Sequence, residues 1–137
     1  MVGPAHFKAL FDPRAIVVAG ASTHPGKFGF VALHNILTCG YEGPVYATNR
    51  ERAEVLGRPT LADLREIPDG DVDLVFVCTP AVSNETVLRQ AADKGIKAAF
   101  IASAGYGESG DDGRRLQDQL VSLAAELDLL IVCLLYT

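Results

Sequence analysis

Short, almost wholly apolar runs alternate along the chain with longer segments that carry helix signals. The apolar runs predict five buried strands, at 15–19, 44–48, 72–78, 98–102 and 129–135. The intervening segments predict helices at 5–11, 28–37, 81–94 and 113–127, with one or two helical turns at 61–66. Apolar strands that alternate with helices are typical of a parallel sheet that is covered on both sides. The pattern therefore predicts an α/β fold, a doubly wound parallel sheet of about five strands with helices on both faces.

Start and stop signals support the predicted helix ends. Asp12-Pro13 stops the first helix, because the residue before a proline is disfavoured in helical conformation. Gly40 lies where a glycine commonly ends a helix. The last helix is preceded by the capping residues Ser109, Asp111 and Asp112. Its buried face is predicted from apolar residues at helical spacing, namely Leu116, Leu120, Leu123, Ala124 and Leu127. The helix at 28–37 carries a partial stripe of the same kind, Val31, Leu33, Ile36 and Leu37.

A glycine-rich loop, Gly20–Gly29, joins the first predicted strand to the following helix. Free N–H groups and a partial positive charge at a helix N-terminus attract phosphates, and glycine allows the backbone to approach them closely. The loop departs from the dinucleotide pattern G-x-G-x-x-G, because Ser22 occupies the second glycine position and the next glycines are Gly26 and Gly29. The loop thus predicts a nucleotide phosphate and only weakly NAD. A tight turn without a ligand is the alternative.

Three further strand ends should meet this loop at one edge of the sheet: Thr48-Asn49-Arg50, Cys78-Thr79-Pro80 and Ser103–Glu108. An NAD domain places a carboxylate after the second strand, whereas this chain has Asn49 and Arg50. Arginine pairs with a phosphorylated ribose. The 2′-phosphate of NADP and the 3′-phosphate of coenzyme A (CoA) both remain open, as does a simply solvated Arg50. Thr79-Pro80 is expected to form a flat ledge for an adenine ring or a pantetheine arm.

Composition narrows the class of protein. The 137 residues, 49% of them hydrophobic, are expected to form a single domain over 1–137. A net charge of −5 argues against a nucleic-acid partner. Apolar runs are shorter than the roughly 20 residues of a membrane span, and no signal peptide is evident. We therefore expect no membrane partner and a cytoplasmic location.

Neither a metal site nor a catalytic set is predicted. Cys39, Cys78 and Cys133 form no C-x-x-C pair, and His6, His24 and His34 are not spaced as metal ligands. Cys78 and Cys133 are expected to pack as small apolar residues.

Several segments together resemble a known family. These are Leu10–Pro13, Val18–Ser22, Pro25–Gly29, Gly43–Tyr46, Thr48-Asn49, Val72–Leu74 and Ser103–Glu108. The succession resembles the N-terminal CoA-binding domain of ADP-forming (NDP-forming) acyl-CoA synthetases, which is similar to the first domain of the succinyl-CoA synthetase alpha subunit. The resemblance runs from about Leu10 to Ile131.

The resemblance implies a Rossmann-like domain that binds CoA without a metal and corresponds to the N-terminal part of a longer synthetase. Such a domain belongs to an acid-thiol ligase but is not competent alone, so its partners would be further synthetase domains or a subunit. A homo-oligomer stays open. The expected CoA contacts are Gly20, Ser22, Pro25, Gly26, Lys27, Phe28, Gly29, Asn49, Arg50, Thr79, Pro80, Ser103, Ala104 and Gly105. An NADP-binding oxidoreductase fragment and a non-catalytic regulatory CoA- or nucleotide-binding module are the alternatives.

Overall fold

Five parallel strands form one sheet in the order β2-β1-β3-β4-β5. The computed structural model describes residues 2–103 and 110–133. The strands are β1 (Ile16–Ala19), β2 (Val45–Ala47), β3 (Leu74–Val77), β4 (Ala98–Ile101) and β5 (Leu130–Cys133). The helices are α1 (Pro4–Phe11), α2 (Phe28–Thr38), α3 (Asn84–Asp93) and α4 (Asp111–Leu127), with 3₁₀ turns at Leu64–Glu66 and Ala81–Ser83. The predicted α/β class with a parallel sheet is confirmed.

Helices cover both faces of the sheet, and each face has its own apolar cluster. Alternate residues of one strand enter different clusters, as Val17 and Val18 of β1 do. One cluster brings α1 and α2 onto the sheet through Ala9, Leu33 and Ile36. The other brings α3 and α4 onto the opposite face, mainly through Leu88, Ala91, Leu120 and Leu123. Both faces of the central strands are thus buried, as their continuous apolar sequence predicts.

Two predicted helix starts and one predicted buried position were wrong. The segment 81–94 begins as a 3₁₀ turn, in which the Ser83 N–H donates to the Pro80 carbonyl, and only then becomes α3. Helix α4 starts at Asp111, so Asp111 and Asp112 lie in its first turn rather than before it, where carboxylates favour the helix dipole. Val31 was expected on the buried stripe of α2 but is 41% exposed.

Other details agree with the sequence. Gly40 follows α2 with a φ of 92°, which is the left-handed region that favours glycine. Cys78 and Cys133 are half-buried and pack against the two apolar clusters. Ser109 and residues 134–135 lie outside the described residues.

The amino ends of the strands are joined by an ion pair that the sequence analysis did not find. The Asp73 carboxylate accepts from the Arg14 backbone N–H at 2.9 Å and from the Arg14 guanidinium, whose Nη2 lies 2.7 Å from Oδ1. The same Nη2 donates to the Gly70 carbonyl at 2.7 Å. Hydrogen bonding from the Arg14 side chain holds the pKa of Asp73 below its ordinary value. The pair ties the segment before β1 to the start of β3.

The lowered pKa of Asp73 predicts part of the acid sensitivity of the fold. A carboxyl whose pKa is lower in the folded than in the unfolded state stabilises the fold above its unfolded pKa, and this contribution is lost as pH falls through the folded pKa. Urea unfolding should therefore show that Asp73→Asn is less stable than the parent at pH 7 and loses less stability below about pH 4. Asp118→Asn, on an exposed site of α4, is the control. Parallel pH profiles of Asp73→Asn and the parent would contradict this role.

Candidate functional site

The carboxyl ends of β1 to β4 lie side by side. Strand register places Ala19 opposite Val77, Val77 opposite Ile101, and Val18 opposite Ala47. The segments that follow these strands therefore emerge at one edge of the sheet. The strand order reverses between β1 and β3, and ligands of doubly wound sheets bind in the crevice at such a point.

Gly20 begins the loop at this edge in a conformation that favours glycine. Its φ is 85°, and a Cβ at this position would lie 2.9 Å from Cγ2 of Thr79 and 3.0 Å from the Cys78 carbonyl carbon. Gly20 therefore allows the end of β1 to pack directly against the end of β3.

Gly29 allows α2 to pack against the loop that precedes it. A Cβ on Gly29 would lie 2.1 Å from the Gly20 carbonyl oxygen and 3.1 Å from the Ser22 nitrogen, both of them backbone atoms. Gly26 differs from Gly20 because its φ is outside the left-handed region. It differs from both Gly20 and Gly29 because a Cβ there would meet nothing within 4 Å. The fold thus accounts for Gly20 and Gly29 but not for Gly26.

The loop carries several backbone N–H donors that have no partner in the part of the chain that the structure describes. Within residues 2–103 and 110–133, no hydrogen bond is made by the N–H groups of Ser22, Thr23, Gly26, Phe28 and Gly29. The N-cap residue of α2, Lys27, has no side-chain cap either. The neighbouring N–H groups of Gly20 and Ala21 are bound to Thr48 at 3.2 and 2.8 Å, so the base of the loop is fixed. The first turn of α2 thus retains the free donors that bind anions.

Two exposed cations accompany these donors. Neither Lys27 nor Arg50 forms an ion pair with a residue that the structure describes. Two further arginines of the β2–β3 segment are engaged elsewhere: Arg52 pairs with Glu66, and Arg58 donates to the Val45 carbonyl at 3.1 Å. Lys27 and Arg50 therefore remain as the charged groups of the Gly20–Gly29 loop and the β2 end that are available to an anion.

Asn49, another predicted contact, holds the crevice together from within. Its Nδ2 donates to the Ala21 carbonyl at 3.0 Å, and its Oδ1 accepts from the N–H groups of Glu51 and Ala53 at 2.9 and 3.2 Å. Asn49 thereby joins the glycine loop to the segment after β2. The sequence analysis singled out this position but not these bonds.

The ends of β3 and β4 are linked by three polar side chains. Thr79 Oγ1 lies 2.6 Å from Oδ1 of Asn84, and Asn84 Nδ2 lies 3.1 Å from Oγ of Ser103. Ser103 Oγ in turn donates to the Thr79 carbonyl. Thr79 and Ser103 were predicted as site residues, whereas Asn84 was missed. It begins α3 in a segment that reads as ordinary helix, and only its 1% exposure in the fold distinguishes it.

The remaining predicted residues differ in how the structure places them. Pro80 is exposed and caps the 3₁₀ turn before α3, and Phe28 is 56% exposed at the start of α2. Ser22 is half-buried and its Oγ accepts from the His24 N–H at 3.1 Å, whereas Pro25 is exposed. Ala104 and Gly105, with the rest of the segment up to Glu108, lie outside the described residues.

Other features add no chemistry to this edge. Burial raises the pKa of the Cys78 thiol to about 11, so it is not an activated nucleophile. His34 is exposed and stacks on Phe30.

In the described ranges no group of three or more His, Cys, Asp or Glu side chains could hold a metal ion. None of the helices seen there is both long and apolar enough to cross a membrane. A groove of about 760 Å³ lies between α3 and α4, and an apolar one of about 350 Å³ lies beside β5.

The chain matches one known protein family. The family described as "CoA binding domain" matches residues 14–137. The chain belongs to this family of CoA-binding domains. The resemblance found in the sequence is thereby confirmed, as is the Rossmann-like fold that it implied. Family membership also favours CoA over NADP as the ligand.

Relatives of this CoA-binding domain are acyl-CoA ligases. The alpha subunit of ADP-forming acetate–CoA ligase I from Pyrococcus furiosus is 36% identical over 129 residues, which cover 91% of this chain and 28% of the relative. A trans-feruloyl-CoA synthase from an unknown prokaryotic organism is 33% identical over 122 residues, or 89% of this chain and 17% of the relative. The chain therefore spans less than a third of the length of these relatives.

A solved structure of a synthetase contains the same fold. The dinucleotide-forming acetyl-coenzyme A synthetase 1 of Candidatus Korarchaeum cryptofilum, in complex with phosphate and ADP, superposes with a TM-score of 0.83 and 30% identity. The match covers 93% of this chain and 27% of the synthetase chain. The chain is thus homologous to the N-terminal part of ADP-forming acyl-CoA synthetases.

Proposed function

We propose that this chain binds CoA at the carboxyl edge of its sheet, with the pyrophosphate held by the glycine loop. The observation that supports this most directly is that the N–H groups of Ser22, Thr23, Gly26, Phe28 and Gly29 make no hydrogen bond among the described residues. A pyrophosphate supplies acceptor oxygens and the negative charge that a helix N-terminus favours. Unlike the other two loop glycines, Gly26 has no role in packing that we can identify, and close approach of a phosphate would explain it.

Of the two cations without an ion pair among the described residues, Arg50 fits the 3′-phosphate of CoA and Lys27 fits the pyrophosphate. Arg50 follows β2, where dinucleotide-binding domains contact the ribose, and it has no carboxylate partner among the described residues. A guanidinium in this position would pair with the 3′-phosphate. Lys27, at the N-cap of α2, would add positive charge beside the pyrophosphate. These contacts would offset the repulsion expected from a chain with a net charge of −5.

The protein offers surfaces that suit the adenine ring and the pantetheine arm of CoA. Phe28 exposes 56% of its area next to the free amides and could stack on the adenine ring. Pro80 and the half-buried Thr79 and Ser103 at the ends of β3 and β4 would lie under the pantetheine arm. Asn49 and Gly20 would act by fixing the loop rather than by donating to the ligand.

We further propose that the domain serves an ADP-forming acyl-CoA synthetase in which the ligation chemistry belongs to other domains or to another subunit. The chain spans 28% of the acetate–CoA ligase alpha subunit to which it is similar. The described residues bring no nucleophile and base together at the proposed CoA site, and its one thiol, Cys78, has a raised pKa. The domain alone is therefore expected to bind CoA without forming a thioester.

Calorimetric titration of the chain with CoA, dephospho-CoA, NADPH and NADH tests the proposed ligand. We expect CoA to bind most tightly, dephospho-CoA more weakly, and the nicotinamide nucleotides weakest. A thermal shift supports the ranking, since a ligand at a hundredfold excess over its Kd adds about 2.7 kcal/mol to the stability. No heat and no thermal shift with millimolar CoA would contradict CoA binding, and preference for NADPH would favour the oxidoreductase alternative.

Arg50→Ala should weaken CoA about tenfold, because a hydrogen-bonded charge pair of this kind contributes roughly 1.5 kcal/mol. The affinity for dephospho-CoA, which lacks only the 3′-phosphate, should change little. Arg115→Ala is the matched control, since Arg115 is an exposed arginine on α4. Equal losses for both ligands on Arg50→Ala would contradict a contact to the 3′-phosphate.

A further inference from the structure

We propose that Asn84 is a positioning residue of the CoA site, which holds the hydroxyls of Thr79 and Ser103 so that both present only oxygen lone pairs to the pantetheine amides. The inference rests on the proposed CoA binding. Asn84 is only 1% exposed, so it acts on the ligand through the two half-buried hydroxyl residues rather than by contact.

The direction of each hydrogen bond follows from Ser103. Its hydroxyl donates to the Thr79 carbonyl, so its oxygen must accept from Asn84 at 3.1 Å. The amide nitrogen of Asn84 therefore faces Ser103, and the amide oxygen faces Thr79. That oxygen can only accept, and the Thr79 hydroxyl must donate to it across 2.6 Å. Both hydroxyl protons are thus committed within the protein.

Thr79 stands at the junction of the two strands between which the strand order reverses. Its Cγ2 lies close to Gly20, only 2.9 Å from the position of an added Cβ, while its hydroxyl is bound to Asn84. A threonine side chain has three staggered rotamers, and here one contact fixes the methyl and another fixes the hydroxyl. Without Asn84, the hydroxyl would lose the acceptor that fixes its proton.

Only part of the backbone at the same strand ends is hydrogen-bonded among the described residues. The N–H of Cys78 donates to the Ala19 carbonyl at 2.8 Å, and the N–H of Ala102 donates to the Val77 carbonyl at 2.9 Å. Pro80 has no N–H at all. The N–H groups of Thr79 and Ser103 make no hydrogen bond among the described residues, so the two hydroxyl oxygens are acceptors that lie beside two free backbone donors.

The side chains at the β3 and β4 ends therefore add acceptors to a crevice whose glycine loop offers donors. The glycine-loop donors suit phosphate oxygens, the Thr79 and Ser103 hydroxyl oxygens suit amide N–H groups, and the N–H groups of the same two residues suit amide carbonyls. CoA fits this arrangement, because its pyrophosphate only accepts, whereas its pantetheine arm carries two amides, each with one N–H and one carbonyl. Asn84 would orient the ligand by keeping both hydroxyl oxygens as acceptors for the amide N–H groups.

The test compares CoA with adenosine 3′-phosphate 5′-diphosphate, which lacks the pantetheine arm. Asn84→Leu should weaken CoA about tenfold and leave the affinity for the truncated nucleotide within twofold. Asn35→Leu, at an exposed asparagine of α2, should change neither affinity. Equal weakening of both ligands, or no weakening of either, would overturn the positioning role. Failure of the parent chain to bind CoA would instead overturn the proposed function, and the inference with it.

A second set of variants keeps the test decisive if Asn84→Leu does not fold, which its melting curve will show. Thr79→Val preserves shape but removes the hydroxyl, and it should selectively weaken CoA to a similar degree. Thr79→Ser keeps the hydroxyl and should retain most of the CoA affinity. Where Asn84→Leu does fold, its combination with Thr79→Val should bind CoA no more weakly than the worse single variant, because the two residues act through one path. The proposal would be contradicted if the losses of CoA binding free energy in the two single variants added fully in the double variant. Equal losses of CoA affinity for Thr79→Val and Thr79→Ser would also contradict it.

Discussion

Replacing Gly29 by alanine should lower the free energy of unfolding by roughly 3 kcal/mol or more, at the upper end of what overpacking costs. The added Cβ would lie 2.1 Å from the Gly20 carbonyl oxygen, and a backbone atom cannot rotate away as a flexible side chain can. Relief requires α2 to shift away from the end of β1, which disturbs the cluster around Leu33 and Ile36. Urea unfolding followed by circular dichroism measures this loss.

Gly26→Ala provides the matched control within the same loop. Its Cβ would meet nothing within 4 Å, so its stability should stay within about 0.5 kcal/mol of the parent. If Gly29→Ala unfolds at the same urea concentration as Gly26→Ala, the close approach of α2 to Gly20 is not a real constraint on the fold.

Replacing Gly26 by valine should reduce CoA affinity at least tenfold, a loss of about 1.4 kcal/mol, without lowering the melting temperature. The fold leaves open space at this position, so the branched side chain should be tolerated by the protein itself. The same space is where we place the pyrophosphate, and a valine there would keep phosphate oxygens away from the Gly26 and Phe28 amides. Calorimetry gives the affinity, and differential scanning fluorimetry gives the stability.

Gly3→Val separates this effect from a general consequence of adding a side chain at an exposed backbone position. Gly3 also has open space around its Cβ position, but it lies at the N-cap of α1, away from the loop. It should bind CoA as the parent does. Undiminished CoA binding by Gly26→Val would mean that the loop does not hold the pyrophosphate.

The grouping of the carboxyl ends of β1 to β4 could be predicted from the sequence because it depends on local signals. Buried strands such as Val72–Cys78 are apolar on both faces, and Gly20, Gly26 and Gly29 mark a loop before a helix. These signals were sufficient to place the ends of β1 to β4 together. The exact starts of α3 and α4 were not predictable, since helix propensity continues through both 3₁₀ and α geometry.

The features that were not predicted depend on contacts between residues that are far apart in the sequence. Asn84 is an ordinary helix residue by sequence, and its importance arises only because Ser103, 19 residues later, meets it across the strand ends. The pairing of Arg14 with Asp73, 59 residues apart, escaped for the same reason. The roles of Gly26 and Gly29 were also inseparable by sequence, since only the packing around each Cβ position distinguishes them.

A ¹H–¹⁵N correlation spectrum of the chain, titrated with CoA, tests the central claim most directly. We predict that the amide protons of Ser22, Thr23, Gly26, Phe28 and Gly29 move downfield together as CoA saturates, because each gains an acceptor that the protein does not supply. The amides of Gly20 and Ala21, already bound to Thr48, should move much less. Saturable CoA binding that leaves the five loop amides unmoved would contradict the account.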